Sequence, residues 1–273
     1  MGQVVHTLPE GQEVCGIALL AGEIYVLRWK ECRNDQVEVY DVITYHLQRC
    51  LTVPNARGFT DMTSCEHYRC VYIGDPFVEC VHSLNVQGIT TQWSVHDEPA
   101  SLSVNTAHNV LVTCPHVRKI KEFTSNGSLL RELTLPVIVS HPLHVIQTHS
   151  GQFIVCHGDR GDQIHRVCMV SGDGRHIVHS HGGYRGSDTG QYNAPIQLAV
   201  DDNEFVFVAD VYNGRVTLLS PTLEYVRQVI SADQLKWSPV RLCLDMKTRR
   251  LYIADCQWNV DKYAAGRVAV ISA

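Results

Sequence analysis

Two pairs of opposite charges are the residues of this chain best suited to acid–base or substrate-clamping chemistry. Asp210 is followed by Arg215, and Asp255 by Arg267, after two apolar strands that read VFVAD and LYIAD. A pair repeated at equivalent places is typical of a structural tie, because buried or half-buried charges are normally paired. We therefore predict that these four residues hold strand ends together and that the chain has no catalytic residue.

Histidines and cysteines give little support for a metal site. In HIVHSH, His179 and His181 share one face of a strand while His176 points the other way. A tetrahedral zinc needs four ligands, and Cys65 and Cys70 of CEHYRC likewise lack two partners at a suitable spacing. We predict no metal and no cofactor.

A glycine-rich stretch, GGYRGSDTG (182–190), has the composition of a phosphate-binding loop. It lacks GxxxxGK[ST] and leads into a strand, so the amide cradle at a helix N-terminus is missing. We expect a long exposed loop that contacts a partner. SGDG (171–174) is too short for a calcium loop, and NGS at Asn126 is expected to form a hairpin turn, since Asn-Gly suits that backbone.

Six copies of one strand pattern must position all of these residues. The pattern recurs every 39 to 53 residues, and its second strands are YVLRW (25–29), VYIGD (71–75), VLVTC (110–114), FIVCH (153–157), VFVAD (206–210) and LYIAD (251–255). A period of about 40–50 residues with several short strands and no helical periodicity is typical of a propeller blade. The sequence predicts an all-β, six-bladed β-propeller with four antiparallel strands in each blade.

The two ends of the chain predict how the ring closes. The sixth copy stops after its third strand, RVAVISA (267–273), and QVVHTLP (3–9) reads like the outer strands LQRCLTVP and LLRELTLP of copies one and three. We expect the N-terminal strand to complete the last blade, which removes exposed sheet edges from a single domain, 1–273. The predicted ranges are blade 1 (13–54), blade 2 (58–99), blade 3 (100–142), blade 4 (143–193), blade 5 (194–237) and blade 6 (inner strands 239–273, outer strand 3–9).

Composition fits a globular domain with a large core: 45% of the residues are hydrophobic, 19% are charged and the net charge is -5. No run of eighteen apolar residues occurs, and the first residues show no signal-peptide pattern, so we expect neither a membrane span nor a signal peptide. Eleven cysteines are an odd number, and several, such as Cys156 and Cys243, lie in apolar strands, which predicts buried free thiols. A Cys65–Cys70 bridge is the alternative for a secreted protein. We expect a monomeric cytoplasmic domain.

Blade 5 carries a family resemblance. FVFVADVYNGRVTLLSP (205–221), preceded by GGYRGSDTGQYNAPIQLAVDD (182–202), resembles an NHL repeat, and the pattern weakens in blades 6 and 4. The whole chain is similar to the six-bladed NHL propeller at the C-terminus of TRIM-NHL ubiquitin ligases. The resemblance implies a non-catalytic module that recognises a protein or a single-stranded RNA. The peptidyl-amidoglycolate lyase, a similar propeller enzyme with a central metal, is the third alternative, although its histidine ligands find no match here.

Loops that join second to third strands, and loops that link consecutive blades, emerge on one face of a propeller, which we call the loop face. Its predicted side chains are rich in aromatic residues and arginines, which are enriched in interface hot spots. The net charge of -5 favours a protein partner over RNA, although a local basic patch can override it. The predicted contact residues are Trp29, Arg33, Arg57, Phe59, His116, Arg118, Asp159, Arg160, Tyr184, Arg185, Tyr192, Tyr212, Asn213, Trp237 and Trp258.

Overall fold

A computed structural model describes residues 2–29, 36–159, 161–257 and 265–272. The predicted fold is confirmed: six antiparallel sheets form six blades around a central axis. One turn of 3-10 helix, Val211–Asn213, is the only helix among the described residues. No helix in those residues is long and apolar enough to cross a membrane.

Each blade runs from an inner strand at the axis to an outer strand at the rim, in chain order. Blade 1 comprises β3 (Val14–Leu20), β4 (Glu23–Arg28), β5 (Gln36–Asp41) and β6 (Leu47–Thr52). Blade 2 comprises β7 (Asp61–Cys65), β8 (Cys70–Asp75), β9 (Cys80–Asn85) and β10 (Thr90–Ser94). Blade 3 comprises β11 (Ser101–Val104), β12 (Val110–Cys114), β13 (Lys119–Phe123) and β14 (Leu129–Thr134).

The second half of the chain repeats this order. Blade 4 comprises β15 (Pro142–Gln147), β16 (Phe153–His157), β17 (Ile164–Val170) and β18 (Ile177–Tyr184). Blade 5 comprises β19 (Pro195–Val200), β20 (Val206–Asp210), β21 (Arg215–Leu219) and β22 (Tyr225–Ile230). Blade 6 comprises β23 (Ser238–Asp245), β24 (Arg250–Cys256) and β25 (Ala265–Ser272), and it is completed by β1 (Val4–Thr7) and β2 (Gly11–Gln12).

The predicted closure of the ring is also confirmed. Thr7 of β1 lies opposite Ala269 of β25, and Gly11 of β2 lies opposite Gly266 of the same strand. Inner strands contact their neighbours all the way round, from β3 to β7 and finally from β23 back to β3. The N-terminal segment therefore joins the last blade as its outer edge.

Burial follows the distance from the rim. The second strands β8, β12, β16 and β20 are buried at every position, whereas the outer strands β6, β10 and β14 are mostly exposed. Second strands are covered on both faces by adjacent blades, which explains why they read as continuous apolar runs. The described residues form six apolar core clusters, most of them between adjacent blades.

The turn at Asn126 and the free cysteines agree with the predictions made from the sequence. The Asn126-Gly127 turn joins β13 to β14, with Gly127 at φ +87°, a backbone conformation that glycine adopts without strain. All ten cysteines of the described residues are free, including the cross-strand neighbours Cys65 and Cys70. Burial raises the pKa of the Cys114 thiol to about 12, so it stays protonated at neutral pH.

Candidate functional site

The loop face is held in place by aspartates at the ends of second strands. In blade 5, Asp210 accepts a hydrogen bond from the Asn193 backbone amide at 2.7 Å. Its other oxygen accepts from Asn213 Nδ2 at 2.7 Å and from Arg215 Nε at 2.8 Å. Arg215 in turn donates to the Gln191 carbonyl at 2.7 Å. Asp210 thus fixes the connection that enters blade 5 to the loop that leaves β20.

Blades 6 and 2 repeat this arrangement. Asp255 accepts from the amides of Lys236 and Trp237 at 2.9 and 2.6 Å and from Arg267 Nε at 2.8 Å. Asp75 accepts from the Arg57 and Phe77 amides at 2.7 and 3.1 Å. In all three blades the carboxylate orders the backbone that presents loop-face side chains.

The protonation of the Asp210 carboxylate depends on its burial. Burial raises the pKa of Asp210 to about 6, while its hydrogen bonds and the Arg215 charge act in the opposite direction. The carboxylate is fully buried and its acceptor sites are occupied by Asn193, Asn213 and Arg215. The geometry is that of a loop anchor.

Blade 1 carries the opposite charge at the equivalent place, a feature that the sequence reasoning missed. Arg28 ends β4 and donates to Glu38 Oε2 at 2.6 Å. Its remaining donors reach the carbonyls of Gln12 at 2.8 Å, Pro9 at 2.8 Å and Gly266 at 3.1 Å. The signal was an arginine inside YVLRW, at a place where three other copies have aspartate, with Glu38 in the neighbouring strand.

The predicted contact residues fall into several classes on the loop face. Six are exposed: Trp29, Arg57, His116, Asp159, Tyr184 and Arg185. Four are partly buried: Arg118, Tyr212, Asn213 and Trp237. Three lie outside the described residues: Arg33, Arg160 and Trp258.

Phe59 and Tyr192 require a correction, because both are buried. Phe59 packs in the cluster between blades 1 and 2, with its ring edge-on to His82 at 6.2 Å between centroids. Tyr192 lies in the cluster between blades 4 and 5, with its hydroxyl 3.3 Å from Thr217 Oγ1. The connections that lead into inner strands turn inward between blades, so their aromatic residues fill the core.

The glycine-rich stretch is also shorter as a loop than we predicted. β18 continues through Tyr184, so residues 182–184 pair with β17 and the loop begins after them. Within the stretch Tyr184 is highly exposed, at 70%. Of the predicted histidine cluster, His181 stacks with Tyr225 at 6.4 Å between centroids, a packing contact.

Several apolar side chains on the loop face were not predicted. Phe77, in the loop after β8, is 72% exposed; Val137 and Ile138, in the connection from blade 3 to blade 4, are 79% and 52% exposed. Val117, after β12, is exposed to a lesser degree. We call these four residues the apolar arc, since they lie on loops of blades 2 to 4. The available signal was LPVIVSHP, an apolar pair between prolines after an outer strand.

Charges beside the apolar arc are mixed, with an acidic excess. Glu79, Glu98 and Asp159 are exposed there, and Glu98 pairs with His116 at 3.1 Å between Oε2 and Nε2. Arg57 borders a cleft of about 570 Å³ beside Phe77. The arc can therefore receive apolar side chains next to hydrogen-bonding and charged groups.

Comparison with known proteins identifies the fold alone. No protein-family model matches the chain, and no curated protein matches it by sequence. A protein of unknown function from Bacteroides caccae is similar with a TM-score of 0.60 at 15% identity, covering 84% of this chain and 85% of that chain. Virginiamycin B lyase from Staphylococcus aureus gives 0.62 at 11% identity, covering 90% and 81%. Hydrazine synthase from Kuenenia stuttgartiensis gives 0.66 at 12% identity, covering 98% of each chain. The resemblance to NHL repeats stays a prediction.

Proposed function

We propose that this propeller is a non-catalytic recognition domain that binds a protein partner through its loop face. The observation that carries the proposal is the exposure of Phe77, Val137 and Ile138 at loop tips of blades 2 to 4. Large apolar side chains presented on an ordered surface favour binding, because association removes them from water. The Asp75 anchor holds the loop that carries Phe77 in one conformation, which lowers the entropy cost of binding.

The charges favour a protein over a nucleic acid. Glu79, Glu98 and Asp159 flank the apolar arc and would repel a phosphate backbone. Arg28, Arg215 and other arginines of the repeats donate to carboxylates and carbonyls within the fold. A partner segment with apolar anchors and basic neighbours complements this surface. Single-stranded RNA would have to rely on the dispersed Arg57, Arg118 and Arg185.

The finer proposal is that the chain acts as an NHL-type domain, in the cytoplasm, as the substrate-binding part of a TRIM-NHL-like ubiquitin ligase or a related regulator. Its support is the blade 5 motif, in which Asp210, Asn213 and Arg215 form one hydrogen-bonded unit. If this is right, proteins captured by the domain accumulate when the chain is depleted from cells. Unchanged amounts of those proteins would contradict the ligase role.

A matched pair of surface variants tests the recognition proposal. Val137 and Ile138 are replaced by serine on the loop face, and Ile43 and Ile89 are replaced by serine on the opposite face, where they are at least as exposed, at 80% and 63%. Peptides selected from a displayed library on the wild-type domain should bind the loop-face variant at least tenfold more weakly, and the control variant unchanged. The proposal fails if no peptide is enriched or if both variants bind like the wild type.

Salt dependence separates the protein and RNA alternatives. We expect the affinity for a random single-stranded RNA pool to be weak at 50 mM salt and undetectable at 200 mM. Between about these two concentrations, the affinity of proteins that bind phosphates falls steeply with salt. Tight RNA binding that falls steeply with salt, and that charge reversal of Arg57, Arg118 and Arg185 abolishes, would replace the protein proposal.

A further inference from the structure

A layer of polar side chains surrounds the propeller axis. The second strand of every repeat ends at an equivalent position. In each blade, the residue just before that position pairs with one residue of the inner strand, so these six inner-strand residues are equivalent. Five of the six are polar. The residues are Gly16, Asp61, Ser101, His144, Gln197 and Arg241.

Bulges in the inner strands position three of the polar members of this layer. The pairing register slips just before His144, before Gln197 and before Arg241, each time after a proline at the preceding ladder position. Bulges re-aim the side chains that follow them. Polar residues are thereby brought to one depth in blades 4, 5 and 6.

One ion pair neutralises the charges of the layer. Arg241 Nε lies 3.3 Å from Asp61 Oδ1 and donates to the Cys15 carbonyl at 2.7 Å. Arg241 also donates to the Thr60 carbonyl, and Asp61 Oδ2 accepts from the Leu102 amide at 2.9 Å. These contacts link blade 6 to blades 1 and 2, and blade 2 to blade 3.

On the inner strands of blades 3 to 5, three buried polar atoms of the described residues have no hydrogen-bond partner, and the Gln197 side chain also interacts with Asp61 of blade 2. The three atoms are His144 Nδ1, Gln197 Oε1 and the Ser103 hydroxyl, which lies one residue beyond Leu102 on β11. The three residues are 3%, 5% and 7% exposed. An unpartnered buried polar group costs about 1–3 kcal/mol, so these three atoms require hydrogen-bond partners within the space that they share.

That space is a cavity of about 300 Å³ along the axis, and all three residues line it. Its lining extends to Ser64, Val104 and Leu244, which are partly exposed near the far ends of their inner strands. Inner strands run away from the loop face, so the cavity opens on the opposite face. It is distinct from the surface proposed to bind a protein.

Among the described residues that line the cavity there is no aspartate, glutamate, lysine or arginine. Burial and the Arg241 charge lower the pKa of His144 to about 3, so its ring is neutral at pH 7. The charges nearest the site, Arg241 and Asp61, are already paired with each other, so an ion entering it would lose its hydration without gaining a free counter-charge. Nor do the described residues hold any group of three His, Cys, Asp or Glu side chains able to bind a metal ion.

We propose that the axial cavity binds an uncharged small molecule that carries a primary amide on an apolar body. The amide N–H groups donate to Gln197 Oε1 and His144 Nδ1, and its carbonyl accepts from the Ser103 hydroxyl. The apolar body packs against Leu102, Ile146 and other aliphatic side chains of the lining. The volume is at the small end of ligand pockets, which limits the ligand to about one ring.

Three probes of the same shape but different charge test the proposal. Benzamide, benzoate and benzamidinium are titrated at pH 7 into protein labelled with ¹⁵N-histidine, and the ring signals of His144 are followed by NMR. The His144 signals are assigned by their loss in His144→Gln. We expect a saturable shift with benzamide and at least tenfold weaker binding of the two ions. Equal or tighter binding of either ion overturns the proposal, and so does the absence of any shift at 20 mM benzamide.

Two variants locate the binding. Ala199→Leu fills the cavity without removing a polar group, and Ser103→Ala removes one hydroxyl with little change of shape. We expect Ser103→Ala to weaken benzamide binding by about 3- to 10-fold, as the loss of one hydrogen bond predicts, and Ala199→Leu to abolish it. Phe77→Ser on the loop face is the control and should bind normally. Binding that survives both cavity variants would place the ligand elsewhere and refute the site.

Discussion

Arg28 is the side chain through which the closure of the ring can be tested most directly. Its side chain is 3% exposed, and it pairs with Glu38, whose side chain is 17% exposed, at 2.6 Å. It also donates to carbonyls on both sides of the closure, those of Pro9 and Gln12 in the N-terminal segment and that of Gly266 at the start of β25. The informative perturbation is Arg28→Met, which keeps most of the apolar stem and removes the charge.

The expected loss of unfolding free energy comes from the groups that Arg28→Met leaves without their partner. Glu38 keeps a hydrogen bond from Tyr40, at 2.7 Å, but loses its only ion-pair partner among the described residues in a largely buried position. Removing one partner of a buried ion pair costs about 3–5 kcal/mol of unfolding free energy. Gln12 is exposed, so water replaces the lost donor there and adds little. We therefore expect Arg28→Met to destabilise the protein by about 3–5 kcal/mol.

Urea unfolding measures this loss as a change in midpoint at a constant m-value. Arg28→Met combined with Glu38→Gln should cost less than the sum of the two single changes, because the second removes the stranded charge. Arg175→Ala is the matched control, since Arg175 is exposed and 4.0 Å from Asp173, and it should cost less than about 0.5 kcal/mol. A loss below about 1 kcal/mol for Arg28→Met, or additive changes in the pair, would refute the reasoning.

Three further predictions concern other parts of the fold. Burial raises the pKa of Asp61 to about 6, above its ordinary value of about 3.9, so the folded state binds the Asp61 proton more tightly than the unfolded state does. The contribution of Asp61 to stability therefore falls as the pH rises from 4 to 6. Asp61→Asn should thus become more stable relative to the wild type between pH 4.5 and 6.5 in urea unfolding; a constant difference would contradict the shift. Asp255→Ala leaves Arg267 and two loop amides without their acceptor. It should lower the free energy of unfolding by about 3–5 kcal/mol in the same assay, and a decrease under about 1 kcal/mol would contradict the role of Asp255 as an anchor. Cys50 is the exposed thiol among the described cysteines, so Cys50→Ser should remove one equivalent of fast reaction with a disulfide reagent, and an unchanged fast phase would show that Cys50 is shielded.

The fold could be predicted because its evidence is local and repeated. Each second strand is an apolar run bounded by turn residues, and QVVHTLP resembles the outer strands of other blades, so both the strand order and the closure were readable. Asp210 and Asp255 were recognisable because the repeat places them equivalently. Arg28 was harder to recognise because blade 1 has the opposite charge at this place and a different set of partners.

The axial layer could not be read in the same way. Strand patterns predict side-chain direction from a period of two, and the bulges before His144, Gln197 and Arg241 interrupt that period. Phe59 and Tyr192 show a related limit: both follow outer strands at positions typical of surface loops, but the chain turns into the space between blades. Which loop residues point inward depends on contacts between segments far apart in sequence.

The sixth blade also has a consequence for how the protein folds. Five sheets are built from neighbouring hairpins, but β1 and β25 belong to opposite ends of the chain, so their pairing is the contact of longest sequence separation in the ring. Such contacts form slowly, because the entropy of a long loop is lost before they are made. We expect blades 1 to 5 to form early and the sixth blade to form last. The ends lie close together, with the Ser272 amide donating to the Gln3 carbonyl at 3.4 Å. A circular permutant that joins these ends and opens the chain between β6 and β7 would build every blade from continuous sequence. We expect this permutant to fold faster, into a ring that no shared blade closes.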